Sequence, residues 1–372
     1  MKKFTIFLAI ASSALFLAGC GNLGGLSSSG PNSNHNRTQL TGHVSNDNYQ
    51  SVIKNGHYLT SKSRGVDIQQ DANQLNLKSF ESGLLDLSKK QFPTNKYVFQ
   101  EGQHLSTKTT EHWLERKSQD STGLNPAGKA TKHPIYLQQL DEQDFLTQHG
   151  RHLKLSGMTV GLGINSVYYY KKKKYGPTYK RSISNSTVKT KGRQIAAKVL
   201  KRLRQKAGLK HIPIVIGLYR QASDDSLVGG NFFDYSVNKG SQISSWKPID
   251  EHNYVFPSKT AGKGNSARSN DSNDFSNFKS QIQNFFPNLS GVTAQAHYID
   301  GSLSGMHVQI TTQFYSQTEI IAFTQYLQNA AKKYLPNGVP IDITVKSTEG
   351  VQSFLARKSG SKSFSAHVFN SY

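Results

Sequence analysis

The chain has 372 residues, of which 45 are Lys or Arg and 23 are Asp or Glu, giving a formal charge of +22 at neutral pH. Its one cysteine, Cys20, excludes an internal disulfide, so the protein must hold itself together through its core. The length allows one large or two medium domains.

Lys2 and Lys3 precede an apolar run from Phe4 to Ala18, broken only by Thr5, Ser12 and Ser13. A short positive head before such a run describes a secretory signal, and the run falls short of the roughly 20 apolar residues that a spanning helix needs. It ends in Leu17-Ala18-Gly19-Cys20, the form of a lipobox: the small residues fit the narrow site of the lipoprotein signal peptidase, and the thiol of Cys20 receives a diacylglyceryl group. Each buried methylene contributes about 0.8 kcal/mol, so two or three acyl chains hold a protein at a bilayer where one does not. The expected product is a lipoprotein on the outer face of a Gram-positive cell membrane, with its only thiol used for lipid. Residues 20 to 45 are rich in Gly, Ser and Asn and read as a flexible tether.

A mixed region follows, in which Asn73 to Lys89 predicts a helix and Tyr97-Val98-Phe99-Gln100 a short strand. Asp141, Glu142 and Asp144 form an acidic cluster. From Phe145 to Ser223 there is then no Asp or Glu at all, against 18 Lys and Arg, so nearly all the excess charge lies in one stretch. Val160 to Tyr170 is strand-like, and Lys171, Lys172, Lys173 and Lys174 with Gly176-Pro177 form a basic turn. Gly192 to Ala207 reads as an amphipathic helix, with Ile195, Val199, Leu200 and Leu203 on one face and Lys198, Lys201, Arg202 and Lys206 elsewhere. The eight cations named here admit two readings. One is a solvated face that keeps the protein soluble. The other is a docking surface for wall teichoic acid, lipoteichoic acid or anionic lipid headgroups, weakened by salt. Nucleic acid, stacked on Tyr168, Tyr169, Tyr170 and Tyr175, is disfavoured because an exported protein rarely meets it.

Ser258 to Asn277 carries little apolar content and reads as an interdomain linker. It separates two regions with similar order. Leu155-Ser156-Gly157-Met158-Thr159 opens one and Leu289-Ser290-Gly291-Val292-Thr293 the other; each leads through strands to a helix, the second at about 317 to 334, and then to a Pro-containing strand around Pro213 or Pro340. Either proline marks an edge strand or a strand start. The expected fold class is α+β, with two related β–β–α–β units, mainly antiparallel sheets, and the mixed N-terminal region ahead of them. The expected domains are 46–257 and 278–372.

Four strings, Phe99-Gln100-Glu101-Gly102-Gln103, Asn165-Ser166-Val167-Tyr168-Tyr169-Tyr170, Ile212-Pro213-Ile214-Val215-Ile216-Gly217-Leu218-Tyr219 and Phe286-Pro287-Asn288-Leu289-Ser290-Gly291-Val292-Thr293, resemble the CamS family of sex-pheromone precursor lipoproteins. The likeness runs over roughly 46 to 369. It implies that the cleaved signal peptide is trimmed by an intramembrane protease to a short hydrophobic conjugation pheromone. The corresponding segment is Ser13-Ala14-Leu15-Phe16-Leu17-Ala18. For the mature domains the resemblance implies no settled activity.

No standard catalytic constellation is present. Ser-x-x-Lys occurs at Ser51, Ser186 and Ser359 without the partner motifs of a penicillin-binding site. Asp224 and Asp225 follow a strand end, where paired carboxylates serve hydrolysis or, more commonly, cap a loop. His297 and His307 lie in strand-like stretches that could meet across a hairpin. No catalytic residue, metal or cofactor is assigned. The leading expectation is a non-catalytic surface lipoprotein that binds a peptide, a protein or an anionic wall polymer. The alternatives are a wall hydrolase using acidic residues and a solute-binding lipoprotein, which needs a deep cleft between two lobes.

Overall fold

The computed structural model describes residues 38–42, 45–66, 73–150, 152–258, 266–285 and 289–370. The segments read as a signal peptide, a lipobox with Cys20 and a pheromone piece at Ser13–Ala18, and most of the expected tether, lie outside the described residues. The tether nevertheless ends earlier than 45, because Thr38–Leu40 (β1) pairs antiparallel with Val52–Lys54 (β2), which pairs with His57–Tyr58 (β3).

The first unit then runs α1 (Gln74–Lys89), β4 (Val98–Glu101), α2 (Thr107–Leu114), β5 (Leu137–His149), β6 (His152–Ile164), β7 (Val167–Lys171), β8 (Thr178–Ser182), α3 (Asn185–Leu203), β9 (Ile214–Arg220), β10 (Asn231–Asn238) and β11 (Lys247–Pro248). The second runs β12 (Glu251–Phe256), α4 (Ser266–Phe285), β13 (Leu289–Ile299), β14 (Ser302–Thr312), α5 (Gln317–Tyr334), β15 (Ile341–Ser347), β16 (Gly350–Arg357) and β17 (Ser365–Val368). This is an α+β fold built from repeated units.

The two large sheets have the same plan. One is ordered β4-β5-β6-β9-β10-β11 and the other β12-β13-β14-β15-β16-β17. In each, the central pair is parallel and all other pairs are antiparallel. A parallel pair needs a crossover, and α3 or α5 supplies it. The prolines sit at strand starts, and both strands are central rather than edge. The backbone N–H of Met158 donates to Pro213 O at 3.1 Å, and that of Met306 donates to Pro340 O at 3.1 Å. A proline there can accept a ladder bond without having to donate one.

This register corrects the repeat read from the sequence. Leu155-Ser156-Gly157-Met158 on β6 corresponds to Leu303-Ser304-Gly305-Met306 on β14, since Met158 pairs with Ile214 and Met306 with Ile341. Leu289-Ser290-Gly291 instead opens β13, the preceding strand.

Four boundaries also change. The segment read as a linker carries α4 from Ser266 onward, because Phe275, Phe278 and Ile282 recur at helical spacing and bury against the second core. The domain break falls before β12, not after 257, because Glu251–Phe256 pairs with β13. The helix expected over 192–207 is α3, which starts at Asn185 under the Ser184 cap and ends at Leu203. Finally, the strand expected over 160–170 breaks after Ile164. The Asn165 amide there donates to Ile135 O and Gln138 Oε1, and the chain departs into the separate β7–β8 hairpin.

Cover on the two sheets differs. In the first unit α3 and α2 lie on one face, over Met158, Val160, Leu162, Ile164, Ile214, Ile216 and Leu218. On the other face α1 lays Phe80, Leu84 and Leu87 against Val215, Tyr219 and Phe232. In the second unit α4 and α5 pack against each other on one face. Strand β5 is accordingly buried at ten consecutive positions, whereas β14 and β15 alternate between buried and exposed.

Candidate functional site: a basic face, an interdomain cleft and a buried acidic cluster

The β7–β8 hairpin carries an aromatic ladder. Tyr168 stacks on Tyr170 at 5.5 Å between ring centroids, and Tyr170 on Tyr179 at 5.7 Å. Cations lie against the ladder, with Lys172 Nζ 4.4 Å from the Tyr179 ring and the Arg181 guanidinium 5.7 Å from that of Tyr170. Lys171, Lys172, Lys173 and Lys174 are all exposed around the tip, beside Tyr175, which is 91% exposed. Arg181 ties the hairpin to segment 129–136 by donating to Thr131 O and Lys132 O. From α3, Lys191 reaches the same segment, over the Tyr136 ring at 5.6 Å. The base of the hairpin and the helix therefore flank one stretch that itself carries Lys129 and Lys132.

Along α3 the cations divide. Lys189 and Arg193 turn to the buried Asp234, Arg193 at 2.8 Å. Lys206, expected on the basic face, instead donates to His104 O at 3.0 Å. Lys198 is exposed, and its ammonium is held below its ordinary pKa by partial burial and by Lys117, Arg202 and Lys191 nearby. Arg202 lies over Trp113 at 5.2 Å and donates to Thr122 O, which keeps it in this group. Lys201 is exposed in the last helical turn.

A cleft of about 360 Å³ separates α1 from the uncovered face of the second sheet. Lys78 and Ser79 line one wall, and Asn253, Gln295, His297, His307 and Asp342 the other. The two histidines share this face, as the sequence allowed, because Gln295 pairs with His307 and His297 with Gly305. His297 Nδ1 lies 2.7 Å from Asn253 Oδ1, and burial lowers the pKa of both imidazoles, which favours their neutral forms. Polar bonds join the lobes: Phe232 N donates to Glu251 Oε2 at 2.8 Å, Asn253 Nδ2 to Gly230 O at 2.9 Å, and Gln295 Nε2 to Leu227 O at 3.0 Å.

The acidic run on β5 distributes its carboxyls over both faces of the first sheet. Asp141 faces Ser61 and Ser63, whose hydroxyls lie 3.3 and 3.5 Å away, and burial pushes its pKa up to about 7. Glu142 and Asp144, both fully buried, share the opposite face. The segment after β4 wraps over them. Gly102 is required there, because a Cβ would fall 2.4 Å from Glu142 Cβ. Gln103 N then donates to Asp144 Oδ2 at 3.0 Å, His104 N to Glu142 Oε1 at 2.9 Å, and Leu105 N to Glu142 Oε2 at 2.6 Å. Burial, and then the adjacent Glu142 carboxyl, raise the Asp144 pKa well above the carboxylate range. The sequence pointed to these acids but not to His104, which reaches them only through the β4–β5 register.

Asp224 and Asp225 stay in the exposed loop after β9. Asp225 accepts from Ser223 Oγ at 2.5 Å, a bond that holds its carboxyl below the usual range and leaves it a poor proton donor.

A duplicated α+β protein with one strongly cationic lobe is the class that this architecture defines. The family profile described as CamS sex pheromone cAM373 precursor matches residues 58–363. The chain belongs to that family. It is similar to the solved sex pheromone precursor of Lactobacillus salivarius subsp. salivarius UCC118, with 47% identity and a TM-score of 0.85, covering 90% of this chain and all of that one. It also resembles the C-terminal domain of the sex pheromone staph-cAM373 precursor of Staphylococcus aureus, with 34% identity and a TM-score of 0.71 over 81% of this chain and 99% of that one. No curated protein matches.

Proposed function

We propose that this CamS-family chain yields two products. The first is a short hydrophobic peptide from Ser13–Ala18, released by signal peptidase and an intramembrane protease. The second is a lipoprotein, anchored at Cys20 on the outer face of the membrane, that docks non-catalytically onto an anionic wall polymer such as teichoic acid. The observation that carries the docking role is the set of exposed cations, Lys171 to Lys174 at the hairpin tip and Lys117, Lys198 and Lys201 with Lys191 and Arg202 around α3, where partial burial first and then Lys117, Arg202 and Lys191 lower the pKa of Lys198. Mutual repulsion of this kind is costly in the free protein and is relieved by a bound polyanion.

Retention of the purified mature chain on immobilised teichoic acid tests this role. It should be strong at 0.1 M salt and lost towards 1 M, as the screening length falls from about 10 to about 3 Å. Lys191→Ala with Lys198→Ala should weaken it by about tenfold or more, at roughly 1 kcal/mol per cation near an anionic surface. Salt-insensitive or absent retention overturns the polymer reading. Mass spectrometry of the membrane fraction and the medium tests the other half, by finding diacylglyceryl on Cys20 and a peptide ending near Ala18.

The interdomain cleft supports a second reading, as the seat of a small polar solute held by Lys78, Gln295 and the two neutral histidines. Soaking with candidate solutes and following the His297 and His307 ring resonances separates it from polymer docking, which leaves them unmoved.

A further inference from the structure

The basic face and the cleft leave unused two fully buried acids of the first unit. Glu142 and Asp144 have no exposed surface, and their side chains lie within hydrogen-bonding reach of each other. Three of their four oxygens are met by backbone N–H groups of the Gln103–Leu105 segment. The fourth, Asp144 Oδ1, accepts no hydrogen bond from a backbone N–H or basic side chain among the described residues. A buried carboxyl oxygen without a donor is a strong liability, since buried charges are normally paired or bound to metal. Lys206, which comes close, bonds the His104 carbonyl oxygen rather than either acid.

His104 completes the arrangement. Its Nε2 lies 3.8 Å from Asp144 Oδ2, and one ligand atom from each of His104, Glu142 and Asp144 falls within 4.8 Å of the others. A cation bound at about 2.0–2.2 Å to each ligand sets ligands roughly 3 to 4 Å apart, so a small inward turn of the imidazole closes the site. The His104 side chain is 34% exposed while both acids are sealed, which leaves an entry path on the imidazole side and room there for water as a further ligand.

We propose that His104, Glu142 and Asp144 form a binding site for a divalent transition-metal cation, Zn²⁺ first and Mn²⁺ second, that clamps the Gln103–Leu105 segment onto β5. One imidazole nitrogen with two carboxylate oxygens suits these ions, whereas Ca²⁺ and Mg²⁺ favour oxygen ligands alone. The backbone N–H donors act as an outer layer that fixes the carboxylates, as second-shell bonds do in metal sites. The role is structural, and it is independent of polymer docking.

The tag-free mature chain, stripped with chelator and dialysed against Zn²⁺ or Mn²⁺, should retain one equivalent that Mg²⁺ does not displace. Zn²⁺ should also raise its Tm, as any ligand selective for the folded state does. His104→Ala lies at a half-exposed position and should keep the native circular dichroism while binding at least tenfold more weakly and losing the Tm rise. Asp144→Asn should lose binding altogether. A chain that retains no metal overturns the proposal, as does one whose binding and Tm rise survive His104→Ala. In either case the two carboxyls are held by a shared proton alone.

Discussion

The two large sheets share strand order, strand direction and the placement of their crossover helices, yet they present opposite surfaces. On β6 the face away from α3 reads Gly157, Thr159, Gly161 and Gly163; at the corresponding positions β14 reads Gly305, His307, Gln309 and Thr311. The small residues let α1 come down onto the first sheet. A Cβ on Gly161 would fall 2.6 Å from the Phe80 ring, and one on Gly157 would fall 2.1 Å from Phe92. In the second unit no helix among the described residues packs there, and the face forms the polar wall of the cleft. Duplication thus preserved the topology, while the side chains on one face decided whether a sheet is sealed or left open for binding.

The comparison can be broken most directly at Phe80, which is fully buried on the inner face of α1. Phe80→Ala should cost about 3–5 kcal/mol in chemical denaturation, while Gln309→Ala on the open face should stay within about 0.5 kcal/mol. Equal costs would mean that the two faces are not distinguished by cover.

A pH titration of stability sharpens the contrast next. Burial raises Asp141 on the sealed sheet, and Glu251 at the junction, to about 7. Each holds its proton more tightly folded than unfolded. Their contribution is therefore fully present below about pH 4 and is lost as the pH rises through about 7. Unfolding free energy should fall by a few kcal/mol across that window, and Asp141→Asn should flatten much of the slope. A wild-type curve that rises instead refutes the sealed environment.

The smallest expected effect comes from the matched glycines. Gly157→Ala should cost about 1–3 kcal/mol because Phe92 must move, as overpacking does in a filled core. Gly305→Ala meets only Pro340, its ring and its carbonyl oxygen both at 3.7 Å, and should be close to neutral by the same denaturation measurement.

Much of this was legible in the residues. The helix at Asn73–Lys89 announces itself by the spacing of Phe80, Leu84 and Leu87 and by an Asn whose side chain caps Leu75 N at 3.0 Å. The helix over Gln317–Tyr334 is equally plain. The helix α4 was not, because Phe275, Phe278 and Ile282 are diluted by Ser, Asn and Asp, whose low helix propensity is outweighed by burying the two aromatic rings. The true repeat was also present in the sequence, since Leu-Ser-Gly-Met occurs at 155 and again at 303. Matching Leu289 instead slipped the comparison by one strand, because a hairpin offers two similar strands and the sequence does not say which one carries the parallel partner.

For function the division is similar. Residue order by itself determined the apolar run behind Lys2 and Lys3, the concentration of cations between Phe145 and Ser223, the α+β class and the family likeness, because each depends on composition or on neighbours along the chain. Tertiary structure alone decided which cations stand together, that Lys206 turns inward, that His297 and His307 line one wall of a cleft, and that His104 meets Glu142 and Asp144. Those juxtapositions are set by strand register and by which sheet face is covered, and both are fixed by contacts between residues far apart in sequence.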